Sequence, residues 1–184
     1  MRDDDTRPLT STSRRGFIAA AALVGLGSSA AWAAAPAASG EKSVPERNAI
    51  QSALQPWFEA YLAAFNRGDS AGYGAYYADD VKFHGQAATL VGRDAVLTFY
   101  KGVREHLHET VELLTFVGSA NGANILAEIR TTLVAHKDWP DMPTGAMVAG
   151  DRRQSVNFAM YDIVGGRFTR IRSARFSPPR KDAA

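Results

Sequence analysis

The stretch YLAAFNRGDSAGYGAYYADDVKFHG, Tyr61 to Gly85, decides the fold. It opens inside a run with helical spacing. Apolar residues recur at Ile50, Ala53 and Leu54, Trp57, Tyr61, and Ala64 and Phe65, which buries one broad helix face. Pro56 is expected to bend this helix midway and Gly68 to stop it. A short second helix is expected from Asp69 or Ser70 to near Tyr77. DDVKFHG then sets Val81, Phe83 and Gly85 against Lys82 and His84, the period-two alternation of a strand.

Working upstream, Ser43 with Glu46 three residues on, and Pro45 in the first turn, forms a capping box that opens the helix. Further back, Ser13-Arg14-Arg15-Gly16-Phe17-Ile18 directly precedes an apolar run rich in Ala and Gly. Small residues follow in Ala31-Trp32-Ala33. This closely resembles a twin-arginine export signal with cleavage near Ala33; an uncleaved anchor or a chance arginine pair is the alternative. The apolar run is short and weakly hydrophobic for a spanning helix, so no stable membrane span is expected. The chain therefore divides into a signal peptide over 1–35, a linker over 36–45 and one domain over 46–178. A periplasmic or secreted location follows.

Downstream, GRDAVLTFYKGVREHL reads as a third helix opened near Gly92 and Asp94, with Ala95, Leu97 or Phe99, Val103 and Leu107 available to pack. HETVELLTFVG and NILAEIRTTLVAH are strands joined by a hairpin at Ser119 to Gly122. SVNFAMYDIV and RFTRIRSARF are strands joined at Gly165-Gly166. Between the hairpins, KDWPDMPTGAMVAGDRR is too rich in Pro and Gly for regular structure and long enough to cover a cavity mouth. Three helices followed by a meandering sheet give an α+β class.

Composition narrows the function classes. The chain has 184 residues and a formal charge of +2, and its first fifteen residues hold four arginines and three aspartates, leaving the rest nearly neutral. Nothing calls for nucleic acid or an anionic membrane as partner. With no cysteine, disulfides, thiolate metal sites and a cysteine nucleophile are excluded.

The element order, together with YLAAFNRGD, YYADDVKFHG, GRDAV and GGRFTRIRSARF, resembles the SnoaL-like branch of the nuclear transport factor 2-like superfamily. The resemblance implies a cone-shaped fold in which three N-terminal helices pack into a curved antiparallel sheet around an apolar pocket. It implies a small hydrophobic or aromatic ligand, no cofactor, and a homodimer. The superfamily hosts isomerases, dehydratases, cyclases and epoxide hydrolases as well as proteins that only bind, so the site must decide.

Compared with ketosteroid isomerase, a relative in this superfamily, the oxyanion tyrosine falls on Tyr61, the second donor on Asn157, and the base position on Gly85, which has no side chain. Compared with scytalone dehydratase, another relative, the catalytic histidines resemble His108 and His136, and its Asn-x-x-x-Tyr strand resembles Asn157 to Tyr161. The expected catalytic set is thus His108 or His136 as base, with Tyr61 and Asn157 as donors to an enolate oxygen. Trp57, Phe83 and Tyr77 are expected against the ligand, with Trp139 and Met142 as lid residues. Bland roles compete with these: Tyr61 as a core aromatic, His84 as a solvated strand residue, Asp79-Asp80 as a turn. His106 and His108 give a weak metal signal, and none is expected. Arg170, Arg172 and Arg175 read as solvated strand charges, with Glu112 and Glu128 as cross-strand partners.

Overall fold

The computed structural model describes residues 44–176 and 180–182. The segments expected to be a signal peptide and most of the expected linker lie outside the described residues. Helix α1 (Val44–Asn66) runs unbroken through Pro56. Its buried stripe is centred on Phe58, fully shielded from water, with Tyr61, Leu62 and Phe65. Phe58 stacks edge-on against Tyr161 at 4.9 Å and contacts the rings of Tyr61 and Phe116. Gly68 ends the helix at φ 73°, where only glycine is unstrained. The Phe65 carbonyl, which accepts from Gly68 N at 2.9 Å, also accepts from the Arg104 guanidinium at 2.6 Å. Helix α2 (Ser70–Gly74) is capped by Asp69, whose side chain accepts from Gly72 N at 2.8 Å.

Strand β1 (Tyr77–His84) starts earlier than the turn expected at Asp79-Asp80. Both aspartates lie within the strand, and Asp79 pairs with Arg93 at 2.9 Å. A short strand β2 (Thr89–Val91), unmarked in the sequence pattern, folds back on β1. Helix α3 (Arg93–Arg104) ends before Leu107 and buries Val96 and Val103. Then come β3 (Leu107–Gly118), β4 (Asn124–Ala135), β5 (Arg152–Val164), β6 (Arg167–Arg175) and β7 (Arg180–Asp182). Both expected hairpins form: Gly122 has φ 73°, and Gly165 and Gly166 have φ 58° and 72°, the paired left-handed residues of a type I′ turn.

The strand order is β2-β1-β6-β5-β4-β3, with β7 alongside the start of β5. Every pairing is antiparallel except β1 with β6, so the curved sheet is mixed rather than wholly antiparallel. Hairpin signals report only on neighbours in sequence, and this pair brings together strands some 85 residues apart. The rest of the expected architecture, an α+β fold with α1 and α3 against the concave sheet face, is what forms.

Asn66, the last residue of α1, clips the helix to the sheet. Its Nδ2 donates to the Val111 carbonyl at 2.9 Å, and its Oδ1 accepts from Val111 N at 2.8 Å. Removing it strands two backbone groups. Asn66→Ala should lower the unfolding free energy by about 1–3 kcal/mol, measured by urea denaturation.

Candidate active site

Alternate residues from β3, β4, β5 and β6 line a cavity of about 160 Å³. From β3 come Leu107, Glu109 and Val111; from β5, Ser155, Asn157, Ala159 and Tyr161; from β6, Ile171, Ser173 and Arg175. Helix α1 contributes Tyr61, Leu62 and Phe65, and α3 contributes Phe99, Tyr100 and Val103. The long loop between β4 and β5 closes one side with Trp139, Met142 and Thr144. Trp139 bridges to Met147 and stacks on the His106 ring at 4.9 Å. Arg153 holds this loop by donating to the carbonyls of Thr144, Gly145 and Ala146. An apolar void of about 150 Å³ in another protein accepts one benzene, so the space suits a single ring with small substituents.

The chemistry centres on Glu109. It is the one carboxylate on the cavity wall, and no hydrogen bond or ion pair among the described residues involves it. Burial among aromatic rings pushes its carboxyl up from an ordinary 4.5 to about 7, while the Arg104 charge pulls the other way. Arg104 is spent elsewhere: it bonds the Phe65 carbonyl and lies 5.0 Å over the Phe65 ring. Glu109 is therefore poised to take or give a proton near neutral pH.

Three tyrosines line the same cavity. Burial drives the Tyr61 and Tyr100 hydroxyls well above the ordinary phenol range, and Tyr161 upward as well, so all three are donors at working pH. The Tyr61 and Tyr77 hydroxyls are hydrogen-bonded to each other at 3.1 Å. Tyr100 and Tyr161 have no hydrogen-bond partner among the described residues, which leaves both hydroxyls for a ligand. Asn157, 4% exposed, is already engaged. Its amide donates to Thr131 at 3.1 Å and Ser155 at 3.3 Å and accepts from Gln86.

Of the residues expected at the site, Tyr61, Asn157, Phe83, Trp139 and Met142 line the cavity. Four do not. His108 pairs with Val134 on the outer sheet face, because Leu107 and Glu109 on either side of it take the inner one. His136 follows the end of β4, is exposed, and bonds the Arg104 carbonyl through Nε2 at 3.2 Å, tying strand to helix. Trp57 packs behind the wall on Tyr76 and Phe168, at 5.0 and 5.1 Å. Tyr77 is fully buried behind Tyr61. Gly85 borders the cavity but does not open it, since a Cβ there would sit 2.5 Å from the Phe83 ring.

Elsewhere, Arg170 and Arg172 both pair with Asp162, at 2.6 and 3.2 Å, rather than with Glu112 or Glu128. Glu112 pairs with Arg130, and Glu128 accepts from Thr115. Among the described residues no three histidine, aspartate or glutamate side chains gather as metal ligands would. Nor is any described helix long and apolar enough to cross a membrane. Glu109 escaped the sequence reading although parity marks it: it shares a face with Leu107 and Val111.

The sequence matches the model of the SnoaL-like domain family over residues 58–171, and the chain belongs to that family. Its fold is nuclear transport factor 2-like. Among solved structures it is similar to a protein from Xanthomonas campestris pv. campestris provisionally named a polyketide cyclase, with 25% identity and a TM-score of 0.59; the match covers 67% of this chain and 90% of that one. A SnoaL-like polyketide cyclase of Agrobacterium tumefaciens matches at 19% identity and TM-score 0.53, over 66% of this chain and 90% of its own. An LEH-like epoxide hydrolase of Mycobacterium tuberculosis matches at 17% and 0.54, over 68% and 84%. The last two likenesses carry the fold alone. No curated protein sequence gives a significant match.

The raised carboxyl has a thermodynamic signature. Between pH 4.5 and about 7 the unfolded chain has released the Glu109 proton and the folded chain still holds it, so stability falls as pH rises through this window. The loss attributable to this group is about 3 kcal/mol, complete above pH 7. Urea denaturation of the native chain and Glu109→Gln across pH 4.5 to 8 should show the difference growing with pH and then levelling.

Proposed function

We propose that the domain is a proton-transfer enzyme of the isomerase, dehydratase or cyclase kind, acting on a small cyclic carbonyl compound with Glu109 as general base. The observation that carries this reading is the single unpaired carboxylate, pushed up to about 7, facing an aromatic cavity with free tyrosine hydroxyls. The similar protein at 25% identity, provisionally named a polyketide cyclase, carries a name consistent with this class of reaction.

In this mechanism the carboxylate of Glu109 takes a proton from the carbon next to the carbonyl. The C–H electron pair moves to the carbonyl oxygen as an enolate. Tyr161 or Tyr100 donates a hydrogen bond to that oxygen, and Tyr61 does so when Tyr77 donates to it. Return of the proton from Glu109 to another carbon completes an isomerisation. Loss of a β-hydroxyl as water, with the proton supplied by Glu109, completes a dehydration. Asn157, its amide already bonded, holds the strand face in place.

A buffer of deuterium oxide with 2-cyclohexenone reads the base step directly, as exchange of ring protons followed by NMR. Glu109→Gln should slow this exchange by about 100-fold or more, while His108→Ala and His136→Ala should leave it unchanged. Tight ring binding without any exchange would favour the second reading, a carrier of a lipophilic small molecule.

The same proposal includes export through the twin-arginine signal and a homodimer. A second copy would cover the exposed Leu126, Phe158 and Met160 on the outer sheet face. Native mass spectrometry of protein recovered from the periplasm should give twice the mass of a chain starting just after Ala33. A cytoplasmic, uncleaved protein would refute export, and a single-chain mass would refute the dimer.

A further inference from the structure

We infer that the ligand of this cavity carries a carboxylate, seated against Arg175 at the rim with its ring beneath. This rests on the reading of the cavity as a small-ring site and adds the chemical class of the ring's substituent. On β6 the cavity-facing residues are Ile171, Ser173 and Arg175, and Arg175 lies opposite Asn157 of β5. Its guanidinium is exposed at the rim and has no ion pair or hydrogen bond among the described residues.

The neighbouring arginines are all committed. Arg104 bonds the Phe65 carbonyl, Arg153 holds three loop carbonyls, and Arg170 and Arg172 share Asp162. Arg175 is thus the free cation of the cavity among the described residues.

The polar groups gather at the same end. Ser155 and Ser173 flank Arg175 and Asn157 on β5 and β6, and Thr144 and Gln86 border the opening. Apart from Glu109 and the tyrosine hydroxyls, the wall away from them is aromatic and aliphatic. A wholly apolar guest would strip water from these donors without replacing its hydrogen bonds. A carboxylate restores them, with a charge-assisted pair to the planar guanidinium.

Charge and space argue for one negative charge. A single unpaired cation matches a carboxylate, and a cavity of about 160 Å³ leaves little room beyond a ring and that group. The placement also protects the base. Arg175 on β6 is separated from Glu109 on β3 by two intervening strands, so the ligand's charge sits away from the carboxyl that must ionise.

Calorimetric titration of the mature protein with 4-oxocyclohexanecarboxylate and with its methyl ester tests this. The acid should bind about tenfold more tightly than the ester, or better. Arg175→Gln should abolish that preference while leaving the ester's affinity as it was, and Arg170→Gln, on the outer face, should change neither. Equal affinity for acid and ester, or a preference that survives Arg175→Gln, overturns the inference and leaves the small-ring reading standing. Failure of both compounds to bind overturns that reading, and the inference with it.

Discussion

Asn66 locks helix and sheet together, and the orientation of the site follows from that lock. Its amide takes both backbone groups of Val111, at 2.8 and 2.9 Å, so a side chain at the end of α1 does the work of a neighbouring strand. Strand side chains alternate with a period of two, so the position of Val111 fixes the facing of every residue near it. Leu107, Glu109 and Val111 turn inward, and His108 and Thr110 turn to the other face. A slip of one residue would bring a histidine into the cavity and put the carboxylate in solvent. The identity of the candidate base therefore depends on a contact two residues away that touches no ligand.

Glu109 owes its character to a balance. Burial disfavours its charge, and Arg104 favours it, but the guanidinium is held by the Phe65 carbonyl and by two aromatic rings. A direct, well-aligned ion pair would leave the carboxylate ionised and weakly basic. With no charge nearby, burial alone would hold it protonated to a higher pH. The indirect arrangement keeps both protonation states accessible, as a group that accepts a proton in one step and returns it in the next requires. Arg104 also caps α1, so one residue couples helix termination to the acidity of the site.

Most of the fold was legible because its signals are local. Helical spacing through Phe65, the Asp69 cap, the alternation of Val81 and Phe83, and the glycines of both hairpins each act within a few residues. The β1–β6 pairing was not, since nothing local marks a contact between distant strands. Within the site, parity explains which expected residues line the cavity. Phe83 and Asn157 fall on the inner face, whereas Leu107 and Glu109 claim that face on either side of His108. Trp57 and Tyr77 show a different limit, since periodicity reports burial but not whether a buried ring touches the cavity or stands behind its wall. Phe58, the centre of the core, was passed over in favour of its neighbour Trp57.

Gly85 gives the same lesson in reverse. Read as a sequence, it is the place where a base has been lost. In three dimensions the missing side chain is what lets the Phe83 ring lie across that position, with Cε1 2.5 Å and Cζ 2.8 Å from where a Cβ would be. Any side chain at 85 would have to displace the Phe83 ring, so glycine at 85 and phenylalanine at 83 form one packing solution. The carboxylate that lines the cavity comes instead from β3, at the other end of the sheet from β1. The fold supplies the hollow, and the strand that carries the acid decides which of its walls is acidic.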